Sequence, residues 1–199
     1  MRAFTNYNSV QEYTEIKKLP VGAYKVKIIR AEEQEGENNS CALCILFDIA
    51  EGEFKDFYHQ KFAIEKKAYP NNAKYKGVLR LWYPNGNEYD ENNERKMKTA
   101  LKKICESNSH LKIDFTKEWD GNALKDCCVG MVFQEKEYDY NGNHGFFAQP
   151  YSLITLSDLK EGNFKIPEPK YLSNSSAQQA QSNNFNDMPI LDSDDDLPF

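Results

Sequence analysis

The segment Ala42–Ile49 constrains the fold more than any other part of the chain. Leu43, Ile45, Phe47 and Ile49 alternate with Ala42, Cys44 and Leu46, so both parities of one extended run are apolar. Successive residues of a strand point to opposite faces. A strand with apolar residues on both parities is therefore expected to be buried on both sides. A chain of 199 residues can build one domain around it, with appendages. Aromatics make up 13% of the residues, mostly Tyr and Phe, which is enough bulk for a core.

Other elements read more simply. Tyr24, Val26 and Ile28 alternate with Lys25 and Lys27 as a half-buried first strand, with the two lysines facing away from the core. Glu35 to Asn39 is a polar turn. Glu51-Gly52-Glu53 is expected to close a hairpin into a third strand, Phe54 to Phe62. Residues 63–90 read as a long insertion rich in Lys, Tyr, Asn and Gly, a length uncommon in segments that neither bind something nor are disordered. A helix follows over 92–107, with Met97, Leu101, Ile104 and Cys105 on one stripe. Val129, Met131 and Phe133 open a fourth strand. Asn141-Gly142 is a strong hairpin signal, and a fifth strand runs from His144 to Ile154. Ser9-Val10-Gln11-Glu12 matches a capping box for a short N-terminal helix.

Three strands, a helix and two further strands fit a mainly β OB-fold, a five-stranded Greek-key barrel with one helix between strands 3 and 4. An α+β sandwich is compatible with the same string. The expected division is an N-terminal extension over 1–20, the barrel over 21–165, a flexible linker over 166–190 and an acidic tip over 191–199. The linker expectation rests on its Ser, Asn, Gln and Ala content.

Charge is distributed unevenly. The chain carries 25 basic and 31 acidic side chains, a net charge of −6. No cation follows Lys170, whereas Asp187, Asp192, Asp194, Asp195 and Asp196 all do, so the body is close to neutral and the tail supplies the acidity. Clustered carboxylates keep such a tail extended and solvated. The final Leu197-Pro198-Phe199 offers an aromatic ring and a chain-end carboxylate to a partner with an apolar pocket beside a cation.

These residues carry a resemblance. Asp194-Asp195-Asp196-Leu197-Pro198-Phe199 resembles the acidic tip of bacterial single-stranded DNA-binding proteins, which typically ends Asp-Asp-Asp-Ile-Pro-Phe. The departure at Leu197 exchanges one apolar residue for another. The resemblance implies a tip that recruits helicases, exonucleases, primase and recombination factors. More loosely, residues 20–160 resemble single-strand binders of phages and mobile elements, through Val21 to Ile28 and the Lys-rich helix. The tetramer of the bacterial proteins is not implied, and a homo-oligomer is left open.

Single-strand binders need cations for phosphates and aromatic faces for bases. Residues 55–83 hold seven cations, Lys55, Lys61, Lys66, Lys67, Lys74, Lys76 and Arg80, against Asp56 and Glu65. Phe57, Tyr58, Phe62, Tyr69, Tyr75, Trp82 and Tyr83 are interleaved with them. Tyr58, Trp82 and Tyr83 are the preferred stacking residues, followed by Tyr69 and Tyr75. Phe57 and Phe62 have opposite parity, so one of them is expected to enter the core. Tyr138, Tyr140, Phe146 and Phe147 flank the Asn141-Gly142 turn and read either as a second aromatic rim or, the favoured reading, as hairpin packing. Acidic residues at the tip are also expected to compete weakly with DNA for the protein's own groove.

No cofactor or metal is expected. Cys41 and Cys44 form a CxxC on a strand, where the two positions face opposite sides. The five cysteines read as reduced thiols of a cytosolic protein, bacterial or in an infected cell. No apolar run approaches bilayer-spanning length. Asp114, Asp120 and Gln134-Glu135-Lys136 faintly echo a metal-dependent nuclease. The expectation is a non-enzymatic, sequence-independent binder of single-stranded DNA acting in replication, recombination and repair. A small nuclease with a docking tail and an OB-fold protein adaptor remain alternative readings.

Overall fold

A computed structural model describes residues 17–36, 40–86, 89–140 and 142–172. The expected helix at Ser9, residues 37–39 of the polar turn, Asn141 and everything beyond Leu172 lie outside the described residues. The described part is mainly β. Five strands, β1 (Ala23–Glu35), β2 (Cys41–Ile49), β3 (Val78–Trp82), β4 (Cys128–Tyr140) and β5 (Asn143–Ile154), form one sheet in the order β3-β2-β1-β4-β5. Every neighbouring pair is antiparallel. Strands β1 to β3 lie side by side in chain order. Strand β4 returns by a long connection to lie beside β1, which is the Greek-key arrangement.

Strand β2 is buried on both faces, as its composition requires. Leu43, Ile45, Phe47 and Ile49 are 2% exposed or less, and so are Ala42 and Cys44 on the opposite side. Inward residues of the sheet, including Val26, Ile28, Leu79, Val129, Met131 and Phe133, form the core. Helix α2 (Asp90–Ser107) packs Ala100, Leu101 and Ile104 against them. Asn108 anchors its end: the side-chain amide donates to the Ile104 and Cys128 carbonyls, both at 2.8 Å, and its oxygen accepts from the Cys128 amide.

The expected third strand over Phe54 to Phe62 does not form. Gly52 and Asp56 adopt left-handed φ values of 83° and 58°, and the chain turns into a helix, α1 (Phe57–Ala68). Two features favour the helix. Phe57, Tyr58 and Phe62 fall on one side of it, with Phe57 and Tyr58 against the core and the Phe62 ring 5.8 Å from that of Tyr75. The buried Asp48 carboxylate on β2 accepts from the Tyr58 and His59 amides at 2.9 and 2.8 Å, satisfying first-turn donors that have no helical partner. The true third strand, Val78–Trp82, lies within the stretch expected to be an insertion. Gly77 leads into it, and a Cβ there would stand 2.3 Å from the Phe47 carbonyl oxygen.

Past β5, helix α3 (Leu156–Glu161) is closed by a capping box between Thr155 and Asp158. The following segment does not leave the body at residue 166. Lys170 forms a parallel bridge to Lys136 on β4: its amide donates to Glu135 O at 2.8 Å and its carbonyl accepts from the Glu137 amide at 2.9 Å. Gln134 Nε2 donates to Glu168 O at 2.6 Å, and the Leu172 amide donates to the buried Glu137 carboxylate at 2.8 Å. His144 Nε2 lies 2.5 Å from the other Glu137 oxygen, and Tyr171 packs edge-on against Phe146. Residues 168–172 thus strap β4, within the stretch expected to begin the linker. No helix among the described residues is long and apolar enough to cross a membrane.

Candidate functional site

The outward side of β1-β2-β3 is organised in cross-strand rows. Register places Lys27 opposite Asp48, then Arg30-Leu46-Val78, then Glu32-Cys44-Arg80, then Gln34-Ala42-Trp82. A register shift between Ile28 and Arg30 creates these rows. The extra residue, Ile29, is 40% exposed, and after it Ala31 turns inward while Arg30 turns outward.

Small residues occupy the middle of this face. Ala42 and Cys44 point outward yet are hidden, and Cys44 meets side chains of both flanking strands. Arg80 hydrogen-bonds the Cys44 sulfur, and the Cys44 thiol donates to Gln34 Oε1 at 3.2 Å. Burial pushes the Cys44 thiol pKa up, and the nearby Arg80 charge opposes that shift. Trp82 shares the next row with Ala42, and its indole Nε1 is buried without an acceptor among the described residues. A guanidinium and an indole therefore stand in adjacent rows, about 7 Å apart along the strand. Both have π faces of the kind on which nucleobases stack.

Asp48 links this face to α1. Besides the two helix amides, it accepts from the Ile49 amide at 2.8 Å and from the Tyr75 hydroxyl at 3.0 Å. Tyr75 also reaches the Phe47 carbonyl at 3.1 Å. Burial, with the Asp48 charge second, holds the Tyr75 phenol far above its usual pKa, and the same two causes act on Tyr58. The outward position of Asp48 brings the start of α1, and the loop carrying Lys74, Tyr75 and Lys76, to the rim of the face.

The expected site residues separate into groups. Arg80 and Trp82 lie on the outward face of β3. Lys74, Tyr75 and Lys76 lie in the loop entering it, with Lys76 3.6 Å from Glu65. Lys55 precedes α1, and Lys61, expected on a strand, and Lys66 and Lys67, expected in the insertion, all sit on α1, with Lys66 5.6 Å above the Phe62 ring. Tyr58 is corrected from stacking residue to core: it is 6% exposed and packs edge-on against Phe47 and Phe57. Tyr75 is tied down by its hydroxyl. Tyr83 is half-buried, and its hydroxyl donates to Glu33 at 2.8 Å. Tyr69, 68% exposed, follows α1. Arg30 was not anticipated. The change in parity between Ile28 and Ala31 was its signal, visible only once a bulge is considered.

The remaining motifs take structural roles. Cys41 and Cys44 lie on opposite sides of β2, and all five cysteines are free thiols. Asp114 accepts from the Thr116 amide and hydroxyl, and Asp120 caps the 3-10 turn Gly121–Leu124 through the Asn122 amide. Tyr138 lies over Gly145, and its ring centroid is 6.2 Å from that of Phe147, so these aromatics pack within the hairpin. The chain matches no protein-family model and no curated protein.

Proposed function

We propose that the chain is a non-enzymatic single-stranded DNA-binding protein with an OB-fold, and that the strand crosses the outward face of β1-β2-β3. The observation that carries this reading is the pair Arg80 and Trp82 beside the small central residues Cys44 and Ala42, with Arg30 one row away. Two flat π systems offer stacking for any base, and the guanidinium groups offer charge to phosphates, so little sequence preference is expected. Lys74 and the cations of α1 lie on the segment that leads into β3 and add positive charge to this part of the chain. The Greek-key ladder, with α2 between β3 and β4, supports the OB-fold assignment, whose ligands lie on the second and third strands.

The second half of the proposal is that Asp194 to Phe199 dock helicases, exonucleases, primase or recombination factors. The aspartates beside the apolar Leu197 and Phe199 suit an apolar pocket set in a basic surface. The strap on β4 gives this tail a fixed root. The role proposed is coating of exposed strands during replication or recombination of a phage or mobile element, with the tip bringing processing enzymes to them.

Tryptophan fluorescence tests the DNA-binding half. Trp82 and Trp119 are the two tryptophans, and Trp119 packs edge-on against Phe115 beside the core. Oligo-dT is expected to quench emission, less so as salt rises. Quenching should disappear in Trp82→Ala and persist in Trp119→Ala. A chain whose emission and mobility ignore oligo-dT in dilute buffer refutes the assignment.

A further inference from the structure

We infer that Glu32 is a built-in competitor for phosphate, holding Arg30 on the DNA-binding face until a strand displaces it. The inference rests on the single-strand reading of that face and adds a regulator to it. Arg30 and Glu32 are two residues apart beyond the β1 bulge, both project outward, and their side chains form a tight ion pair. The arginine side chain is 62% exposed and the carboxylate 28%, so the acid is the better anchored partner and the cation the reachable one. Glu32 also shares its row with Cys44 and Arg80, and its charge acts on the Cys44 thiol from one side while that of Arg80 acts from the other. The carboxylate therefore pairs with one of the arginines that the reading assigns to phosphate and shares a cross-strand row with the other.

The consequence is a specific exchange. When a phosphate replaces the carboxylate on Arg30, one ion pair is broken as another forms. The counterion released from the strand is then offset by a cation that the freed Glu32 carboxylate takes up, so Arg30 adds little to the salt dependence. Removing the carboxylate frees the arginine, and its contact with phosphate then appears in full. Glu32 is in this sense a positioning residue that acts through Arg30.

Glu32→Gln is expected to tighten oligo-dT binding by about two- to five-fold at low salt, the range of one exposed ion pair. The plot of log affinity against log salt is expected to steepen by about 0.7, the increment for one phosphate contact on a single strand. Glu91→Gln, which removes the exposed partner of Arg95 on α2, makes the same change in net charge and should do neither. Combining Glu32→Gln with Arg30→Ala should abolish the gain, leaving the double variant equal to Arg30→Ala alone. Thermal melting of each variant verifies the fold. An unaltered chain that ignores oligo-dT overturns the reading of the face itself. A chain that binds, but whose slope is unmoved in Glu32→Gln or whose gain survives without Arg30, overturns the role of Glu32 alone.

Discussion

The two sides of β2 are equally hidden from water, but by different means. Inward, Phe47 and its neighbours are covered by other apolar side chains in a close-packed core. Outward, Cys44 meets the polar ends of Gln34 from β1 and Arg80 from β3, and Ala42 lies in a row with Gln34 and Trp82. The first kind of burial resists change because every displaced atom leaves a cavity. In the second kind, the side chains lie at a surface and can change partners without unfolding the sheet. Two equal exposure values thus describe a fixed wall on one side and an adjustable cover on the other.

That comparison can be broken most severely from the inside. Phe47→Ala should cost about 3–5 kcal/mol in urea unfolding. Cys44→Ala, on the opposite side of the same strand, should cost under about 1.5 kcal/mol. Similar losses in the two variants would mean that the outward cover is as rigid as the core. Asp48→Ala strikes where the sides meet. It orphans buried donors and should cost about 3 kcal/mol.

Binding should show the reverse pattern. Trp82→Ala is expected to weaken oligo-dT binding by about 1–3 kcal/mol, read by mobility shift, while the melting temperature moves little. Deleting residues 191–199 should tighten binding modestly in dilute buffer and not at high salt. Equal affinity at all salt concentrations would show that the tip does not compete.

The smallest effects concern pH. Tyr58 and Tyr75 have folded-state pKa values well above the ordinary 10. Their contribution is complete below that value and is lost as pH climbs past it, because the unfolded chain releases those protons first. Tyr75→Phe should flatten the alkaline limb of a melting-temperature profile. Asp158 is depressed, chiefly by its hydrogen bond with Thr155, so its contribution is present above the ordinary aspartate range and fades as pH falls below it. Asp158→Asn should soften that acid limb.

Much of this was legible in the sequence. Clean alternation located β1, β2, β4 and β5, and the apolar stripe located α2, because in each the periodic side chains meet the core directly. The segment from Phe54 to Trp82 was misread for a physical reason. Tyr58 and His59 are helical in part because Asp48, ten residues upstream of Tyr58, accepts their amides, a long-range contact without a local pattern. Arg80 and Trp82 were picked out as candidate site residues although the strand that carries them was not read. Arg30 was not among the candidates because one extra residue in β1 reverses the facing of everything after it. The strap escaped notice because it is held largely by backbone hydrogen bonds, which leave no apolar periodicity.

That strap bears on how the protein should be shortened. A cut at residue 165, where the composition changes, would remove the chain that covers Gln134 to Glu137. It would bare backbone amides and carbonyls on one flank of β4 and strip a buried carboxylate of one of its donors. Uncovered flanks of this kind invite pairing between molecules. A body trimmed there is expected to self-associate, and one that keeps Leu172 is not.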